Sequence, residues 1–189
     1  MTIDSDTHEP TCLIRKDYTK IEKTIVNLYT EINVNKLPIN PFEIAIQKGF
    51  ILIPYSQAPH KARSILKEYE VSGSSGITKE GVYKIFYDNS HCIERQRFTI
   101  MHEIGHILLG HKEDSSYAER CANYFAAYSL APPPIIAKFN CEDFMDIAII
   151  FKLSQESASY AFIRYCNWID HSFKLKPHEV QLLNLFNKN

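Results

Sequence analysis

The chain has 189 residues, of which 45% are hydrophobic and 23% are charged, and its formal net charge at pH 7 is −1. This balance excludes a disordered tail, a collagen-like fibre and a coiled coil, and the length is sufficient for one domain with an apolar core. A net charge near zero provides no general attraction for nucleic acid, so we expect no direct nucleic-acid partner.

The same composition bears on the compartment. No apolar run reaches the roughly 18 residues that a membrane span requires, and the first ten residues lack the regions of a signal peptide. The five cysteines are scattered and form no CxxC pair, which favours reduced thiols over a disulfide framework. We therefore expect a cytoplasmic protein without a membrane partner.

Short helices and a strand are predicted for the first third of the chain. Apolar residues at three- and four-residue steps indicate an amphipathic helix, and Pro41 suits a first helical turn that Asn40 caps. The predicted order is a loosely ordered stretch at 1–14, a helix over 17–32, a short helix from Pro41 that ends at Gly49, a buried strand over 50–53 and a helix over 59–69.

A Gly/Ser-rich segment and a second strand follow. Residues 72–76 are typical of a flexible surface loop, with a mobile lid as the alternative. Residues 82–87 are β-branched and aromatic, which predicts a strand. Two readings of that strand stay open: an edge to which an extended peptide adds, or an interior strand.

Helices dominate the second half, so the fold class is predicted to be α+β with a small sheet. Gly110 supplies the stop for the first of these helices, and three prolines at 132–134 predict an extended break. The predicted helices cover 94–109, 116–130, 142–151, 155–169 and a short tail after Pro177.

The motif His102-Glu103-Ile104-Gly105-His106 carries the sharpest chemical signal. A helix advances about 100° per residue, so His102 and His106 lie one turn apart on one face. Two imidazoles placed in this way can bind one Zn²⁺. Glu103 lies at the flank of that face, where it can reach a water beside the metal as a general base. The alternative is a surface helix on which two histidines merely lie close together.

A catalytic zinc site needs a third protein ligand and an open fourth position. The metzincin pattern requires Gly and His where this chain has Leu109 and Lys112, so that class is excluded. His111 lies just past the Gly110 stop, about half a helical turn from the metal face. Glu119 in the next helix is the better candidate.

Small residues around Glu119 support that choice. Ala122, Asn123 and Ala126 follow it at helical steps, so this helix can pack closely against the Gly105 side of the motif helix. Gly105 costs about 1 kcal/mol against Ala inside a helix, which indicates that its small size is needed. The alternative is a surface ion pair of Glu119 with a neighbouring arginine.

Three segments together resemble a known family. The runs 95–111 and 119–127, followed by Leu130 and Pro132, are similar to the core of the ImmA/IrrE family of metallo-endopeptidases, and 38–45 is similar to the segment that opens that domain. These segments lie within about half of the chain. The pairing of HExxH with ExxANxFA is far more specific than HExxH alone.

The resemblance implies one Zn²⁺ per chain, with His102, His106 and Glu119 as ligands and Glu103 as the catalytic acid/base. It implies a mostly helical, zincin-like metalloprotease core with a small mixed or antiparallel sheet. The domains expected are a catalytic domain over 15–135 and a C-terminal helical segment over 136–189 that packs on it.

The function implied by the resemblance is cleavage of a cytosolic protein, a helix-turn-helix transcriptional repressor in this family. The oxyanion formed during peptide hydrolysis needs a second donor besides zinc. His111, Tyr117, Asn123 and Tyr128 are the candidates for that donor or for groups that orient the ligands, and the sequence does not choose among them.

Residues 146–164 also resemble a helix-turn-helix. Lys152 occupies the position in the turn where a glycine is usual. The second helix has Arg164 as its one positively charged residue, so its attraction to DNA phosphates would be weak. A helical hairpin packed on the catalytic core is the preferred interpretation.

The rival functions are a zinc-containing DNA- or repressor-binding regulatory module without proteolysis and a protein–protein adaptor without metal.

Overall fold

Helices make up most of the structure, with one small sheet near the middle of the chain. The computed structural model describes residues 12–60, 63–64, 72–113, 115–171 and 174–187. The elements are α1 (Arg15–Glu31), α2 (Pro41–Gln47), β1 (Ile51–Pro54), a short 3-10 turn (Tyr55–Gln57), β2 (Gly73–Ile77), β3 (Tyr83–Tyr87), α3 (Ile93–Leu109), α4 (Ser116–Leu130), α5 (Pro133–Lys138), α6 (Phe144–Phe151), α7 (Gln155–His171) and α8 (Pro177–Phe186). The predicted α+β class with a small mixed sheet is confirmed.

Among the described residues, the sheet has three strands in the order β1-β3-β2, and β3 is its centre. β3 runs parallel to β1 and antiparallel to β2. The strand predicted at 82–87 is therefore interior, which decides between the two readings left open. The prediction of a loop at 72–76 is wrong, because pairing with β3 holds these glycines and serines in an edge strand.

Local capping signals fix several helix ends. The Asn40 side chain accepts from the backbone N–H of Phe42 at 3.2 Å, and Gly110 ends α3 in the left-handed conformation with φ 73°. Pro132 is extended and separates α4 from α5, as predicted, but the break is shorter than 132–134 because Pro133 and Pro134 begin α5. The first N–H groups of a helix have no partner within it, so prolines there remove no hydrogen bond.

Two predicted segments lie largely outside the described residues. Of the helix predicted over 59–69, residues 60 and 63–64 are described and are helical, whereas 61–62 and 65–69 are not described. Of the N-terminal stretch predicted to be loosely ordered, only 12–14 is described.

A close contact between α3 and α4 brings the HExxH motif of α3 next to the ExxANxFA motif of α4. A Cβ on Gly105 would lie 3.0 Å from Cδ1 and 3.1 Å from Cβ of Phe125. Phe125, Ala122 and Ala126 are all fully buried. The small residues thus allow the two helices to approach closely, as predicted. Gly105 packs against the side chain of Phe125.

Two arginines, the buried Arg97 and the partly buried Arg164, fasten the C-terminal helices to this pair. Arg97 of α3 donates to the carbonyl oxygens of Phe151 at 3.1 Å and of Lys152 at the end of α6. Arg164 of α7 donates through Nη2 to the carbonyl oxygens of Ala127 and Ala131 at the end of α4. Both guanidinium groups therefore satisfy carbonyls that have no partner inside their own helix.

A buried ion network fastens α8 to α1. Glu22 of α1 lies 2.8 Å from Lys176 Nζ and 2.9 Å from His178 Nε2, both through Oε2. Glu179 accepts from the indole N–H of Trp168 at 2.8 Å. None of the described helices combines the length and apolarity needed to cross a bilayer.

Replacing Gly105 by alanine tests the contact between α3 and α4. Alanine favours the helix by about 1 kcal/mol, but its Cβ overlaps a ring that has no room to move, at a cost of about 1–3 kcal/mol. We expect Gly105→Ala to lower the free energy of unfolding by up to about 2 kcal/mol, measured by urea denaturation.

Gly76→Ala is the matched control. A Cβ on Gly76 meets nothing within 4 Å, so this variant should unfold within about 0.5 kcal/mol of the parent. Equal stability of the two variants would show that the Gly105 contact is not tight.

Candidate metal centre

Two helices bring together three side chains of types that can bind a metal. His102 and His106 lie one turn apart on α3, and their Nε2 atoms are 2.9 Å apart. Glu119, in the first turn of α4, places Oε2 at 3.4 Å from His102 Nε2 and Oε1 at 3.2 Å from His106 Nε2. The ligand atoms of this triangle all lie within 4.8 Å of one another.

The donor set fits Zn²⁺. Tetrahedral bonds of about 2.0–2.1 Å separate neighbouring ligand atoms by about 3.3 Å, close to the three distances in the triangle. The imidazole side chains are largely buried, whereas Glu119 is half exposed. An ion held here would therefore keep a face open towards solvent on the α4 side.

Hydrogen bonds on the far side of each imidazole set its orientation. Asn123 Oδ1 lies 3.1 Å from His102 Nδ1, and because an amide oxygen only accepts, Nδ1 carries the proton and Nε2 keeps its lone pair. His111 Nδ1 lies 3.1 Å from His106 Nδ1. If His106 donates in that pair, its Nε2 is also free to bind a metal.

Burial favours the neutral form of the first imidazole. It lowers the pKa of His102, and the nearby Glu119 carboxylate opposes this change only in part. Burial and the adjacent His106 also lower the pKa of His111. Neutral imidazole is the form that binds metals, so the surroundings of His102 suit a metal ligand.

Glu103 lies beside the triangle rather than in it. Its side chain is buried beneath the start of β2, where a Cβ on Gly73 would lie 3.3 Å from Glu103 Oε1 and 2.3 Å from Thr99 Cγ2. Only glycine fits this approach. Burial, with Asp88 and Glu103 nearby, raises the pKa of Tyr55 to about 12.

The contact of Glu103 with the start of β2 was not predicted from the sequence. Gly73 is the one residue there that signals a close approach, and it lies in a segment whose composition is typical of a loop.

The remaining candidates lie in different places. His111 and Asn123 both contact the metal-site imidazoles. The Tyr117 hydroxyl bonds with the Asp17 carboxylate, and burial and this contact raise its pKa. Tyr128 is buried and lies nine residues beyond Glu119, about 13 Å further along the axis of α4. The structure does not bring Tyr128 to the triangle.

A second group could in principle hold a metal. Glu22, His178 and Glu179 also bring three ligand atoms together. The ammonium group of Lys176 lies 2.8 Å from Glu22 and 3.7 Å from Glu179. Because a cation already balances these carboxylates, we interpret this cluster as a structural ion network.

The metal-site triangle lies in a cleft bordered by β2. A cavity of about 260 Å³ touches His102, Glu119 and Gly73. A second cavity, of about 380 Å³, touches His106 and the residues of β2 from Ser75 to Ile77. β2 therefore runs beside the triangle from one cavity to the other.

Comparison with known proteins places the chain in a family. The family described as IrrE N-terminal-like domain, Peptidase_M78, matches residues 60–161, which is more than half of the chain and includes the whole triangle. A search of curated proteins found no match.

Removing the partner of His102 should weaken metal binding. We expect Asn123→Ala to raise the dissociation constant for Zn²⁺ about 10- to 100-fold, because the ring loses the group that orients it. Competition with a chromophoric chelator measures this constant. Asn167→Ala, at an exposed position on α7, is the control and should bind zinc as the parent does. An unchanged constant for Asn123→Ala would refute the orienting role.

Proposed function

Because the chain belongs to the Peptidase_M78 family, described as IrrE N-terminal-like domain, we propose that it is a zinc-dependent endopeptidase. Family membership supports a metallopeptidase-type hydrolase. Zinc as the metal, His102, His106 and Glu119 as its ligands and Glu103 as the base are parts of the proposal. The observation that carries it is the convergence of the three donor atoms from α3 and α4.

Each group in the cleft has a distinct part in hydrolysis. Zinc would supply Lewis acidity, which acidifies a water and polarises the scissile carbonyl. The buried Glu103 carboxylate takes the proton from the attacking water and passes it to the leaving amine. Asn123 and His111 hold the two imidazoles in place, so we assign them to orientation rather than to the oxyanion.

An extended substrate would lie along β2. Asp88 N–H donates to the Ser72 carbonyl at 3.0 Å, and Thr78 N–H donates to the Val82 carbonyl at 2.8 Å. Because bonded pairs alternate in an antiparallel ladder, the even-numbered residues of β2 bond to β3 and the odd-numbered ones turn their N–H and C=O groups outward. Those outward groups can pair with a peptide as an added strand.

The substrate class follows from the compartment and the family resemblance. All five cysteines are free thiols, which is typical of a reducing compartment. We propose that the protein cleaves a cytoplasmic protein, namely a helix-turn-helix transcriptional repressor of the kind processed by the ImmA/IrrE family.

The rival functions have less support. The outward stripe of α7 consists of Glu156, Tyr160, Ile163 and Asn167, which carry no positive charge, and Arg164 is turned inward to α4. A helix of this kind attracts phosphate poorly, which disfavours a DNA-binding module. A metal-free adaptor would leave the convergence of the triangle without a reason.

Glu103→Gln tests the assigned base. We expect this variant to keep one zinc ion per chain and to lose cleavage about 10²- to 10⁴-fold, because glutamine cannot accept the proton from water. Mass spectrometry of fragments from a panel of helix-turn-helix repressors measures cleavage, and elemental analysis measures zinc.

Two further variants bracket that result. His102→Ala should lose both zinc and cleavage, whereas Glu113→Gln, in the exposed connection after α3, should keep both. Full cleavage by Glu103→Gln would show that the assigned mechanism is wrong.

Ser75→Pro tests strand addition at β2. Proline removes the outward N–H of an odd-numbered residue but no bond to β3, so the fold should persist. We expect KM for a cleaved peptide to rise about tenfold, the effect of one lost hydrogen bond. Ser75→Ala keeps the N–H and should leave KM unchanged. Normal KM in Ser75→Pro would refute strand addition without touching the zinc chemistry.

A further inference from the structure

A cavity of about 520 Å³ opens next to the metal centre. It shares Arg95, Phe98 and Asn123 with the smaller cavity that contains the triangle. The two spaces therefore lie side by side, and the larger one begins at residues that also border the triangle. We call this larger space the α7 pocket, because Ser157, Tyr160 and Arg164 of α7 form its outer wall.

The entrance of the α7 pocket lies about one side-chain length from the metal-site triangle. Phe98 precedes His102 by four residues on α3, and Asn123 follows Glu119 by four residues on α4. Each is thus about 6 Å along its helix axis from a member of the triangle. A residue of an extended peptide spans about 3.3–3.6 Å, so a side chain beside the scissile bond can enter.

The pocket has an apolar interior. Phe98 of α3, Leu130 of α4 and Leu153 before α7 line it, with the ring of Tyr160 at its outer side. Its volume falls within the roughly 300–1,000 Å³ typical of small-molecule sites. The space is therefore ample for the largest apolar side chains.

The formal charges that line the pocket balance, so they favour no charged occupant. Arg164 Nη2 is held by the carbonyl oxygens of Ala127 at 2.8 Å and Ala131 at 3.3 Å. Arg95 Nη2 donates to Ser72 Oγ at 2.9 Å. Two further lining residues, Glu94 and Glu156, are acidic and offset the charges of the two arginines. Burial of apolar surface is then the main source of affinity.

We propose that the α7 pocket binds a bulky apolar side chain of the substrate next to the scissile bond, and that α7 thereby sets the specificity of the enzyme. This inference rests on the proposed endopeptidase function. It gives the C-terminal helices a direct part in substrate selection.

Hydroxamate compounds test the pocket without relying on turnover. Four succinyl hydroxamates that differ only in the side chain beside the metal-binding group would be titrated calorimetrically onto the zinc-loaded chain. Their side chains are hydrogen, isobutyl, benzyl and carboxyethyl. We expect the isobutyl and benzyl compounds to bind about 10 to 100 times more tightly than the hydrogen compound.

Two variants that fill the pocket from opposite walls provide the structural link. Ala127→Leu narrows the pocket from α4, and Ser157→Leu narrows it from α7. If one of these variants does not fold, the other still tests the pocket. Both should reduce the preference for isobutyl and benzyl to less than about threefold. Ser159→Leu is the matched control, because Ser159 lies on the same helix and does not line the pocket. It should keep the full preference.

The possible failures are separable. Equal binding of the four compounds, tighter binding of the carboxyethyl compound, or a preference that survives both filling variants would overturn the α7 pocket and leave the peptidase proposal intact. A parent chain that retains no zinc, or binds none of the four compounds, would overturn the proposed function and this inference with it.

Discussion

The close packing of α3 on α4 is the contact on which the rest of the site depends. Gly105 presents no side chain to Phe125, so the two helices approach closely enough for Glu119 to reach the two imidazoles of α3. Ligand distances at a zinc site tolerate only about 0.2 Å. A shift of α4 by a few tenths of an ångström would therefore open the triangle. The packing that stabilises the pair of helices therefore also sets the distances between the three candidate ligands.

Buried polar groups hold the other elements around that pair. Arg97 and Arg164 each bond to the carbonyl end of a neighbouring helix, where the helix dipole is negative and a cation is favoured. Burial lowers the pKa of both guanidinium groups, but the carbonyl oxygens satisfy their N–H donors. The C-terminal helices are thereby fixed against α3 and α4, which makes α7 a wall of the cleft beside the metal centre.

Residues whose signals are local could be read from the sequence. The Asn40 cap, the Gly110 stop and the periodicity of α1, α3, α4 and α7 all act within one or two turns, and the structure agrees with them. Two predictions, one wrong and one right only in part, concern residues whose conformation depends on a distant partner or on their position in a helix. The glycines and serines of β2 form a strand because β3 pairs with them, whereas Pro132 is extended as predicted and Pro133 and Pro134 are tolerated in the first turn of α5.

The sequence by itself determined that His102 and His106 share one face of a helix with Glu103 at its flank, since helical geometry fixes residues four apart. The sequence also predicted Glu119 as the third metal ligand, because the small residues that follow Glu119 allow its helix to pack closely on α3. Only the tertiary structure decided that β2 crosses above Glu103 at Gly73 and that a pocket opens towards α7. These features depend on how elements far apart in sequence pack, and packing is set by the combined shapes of many side chains rather than by any local pattern.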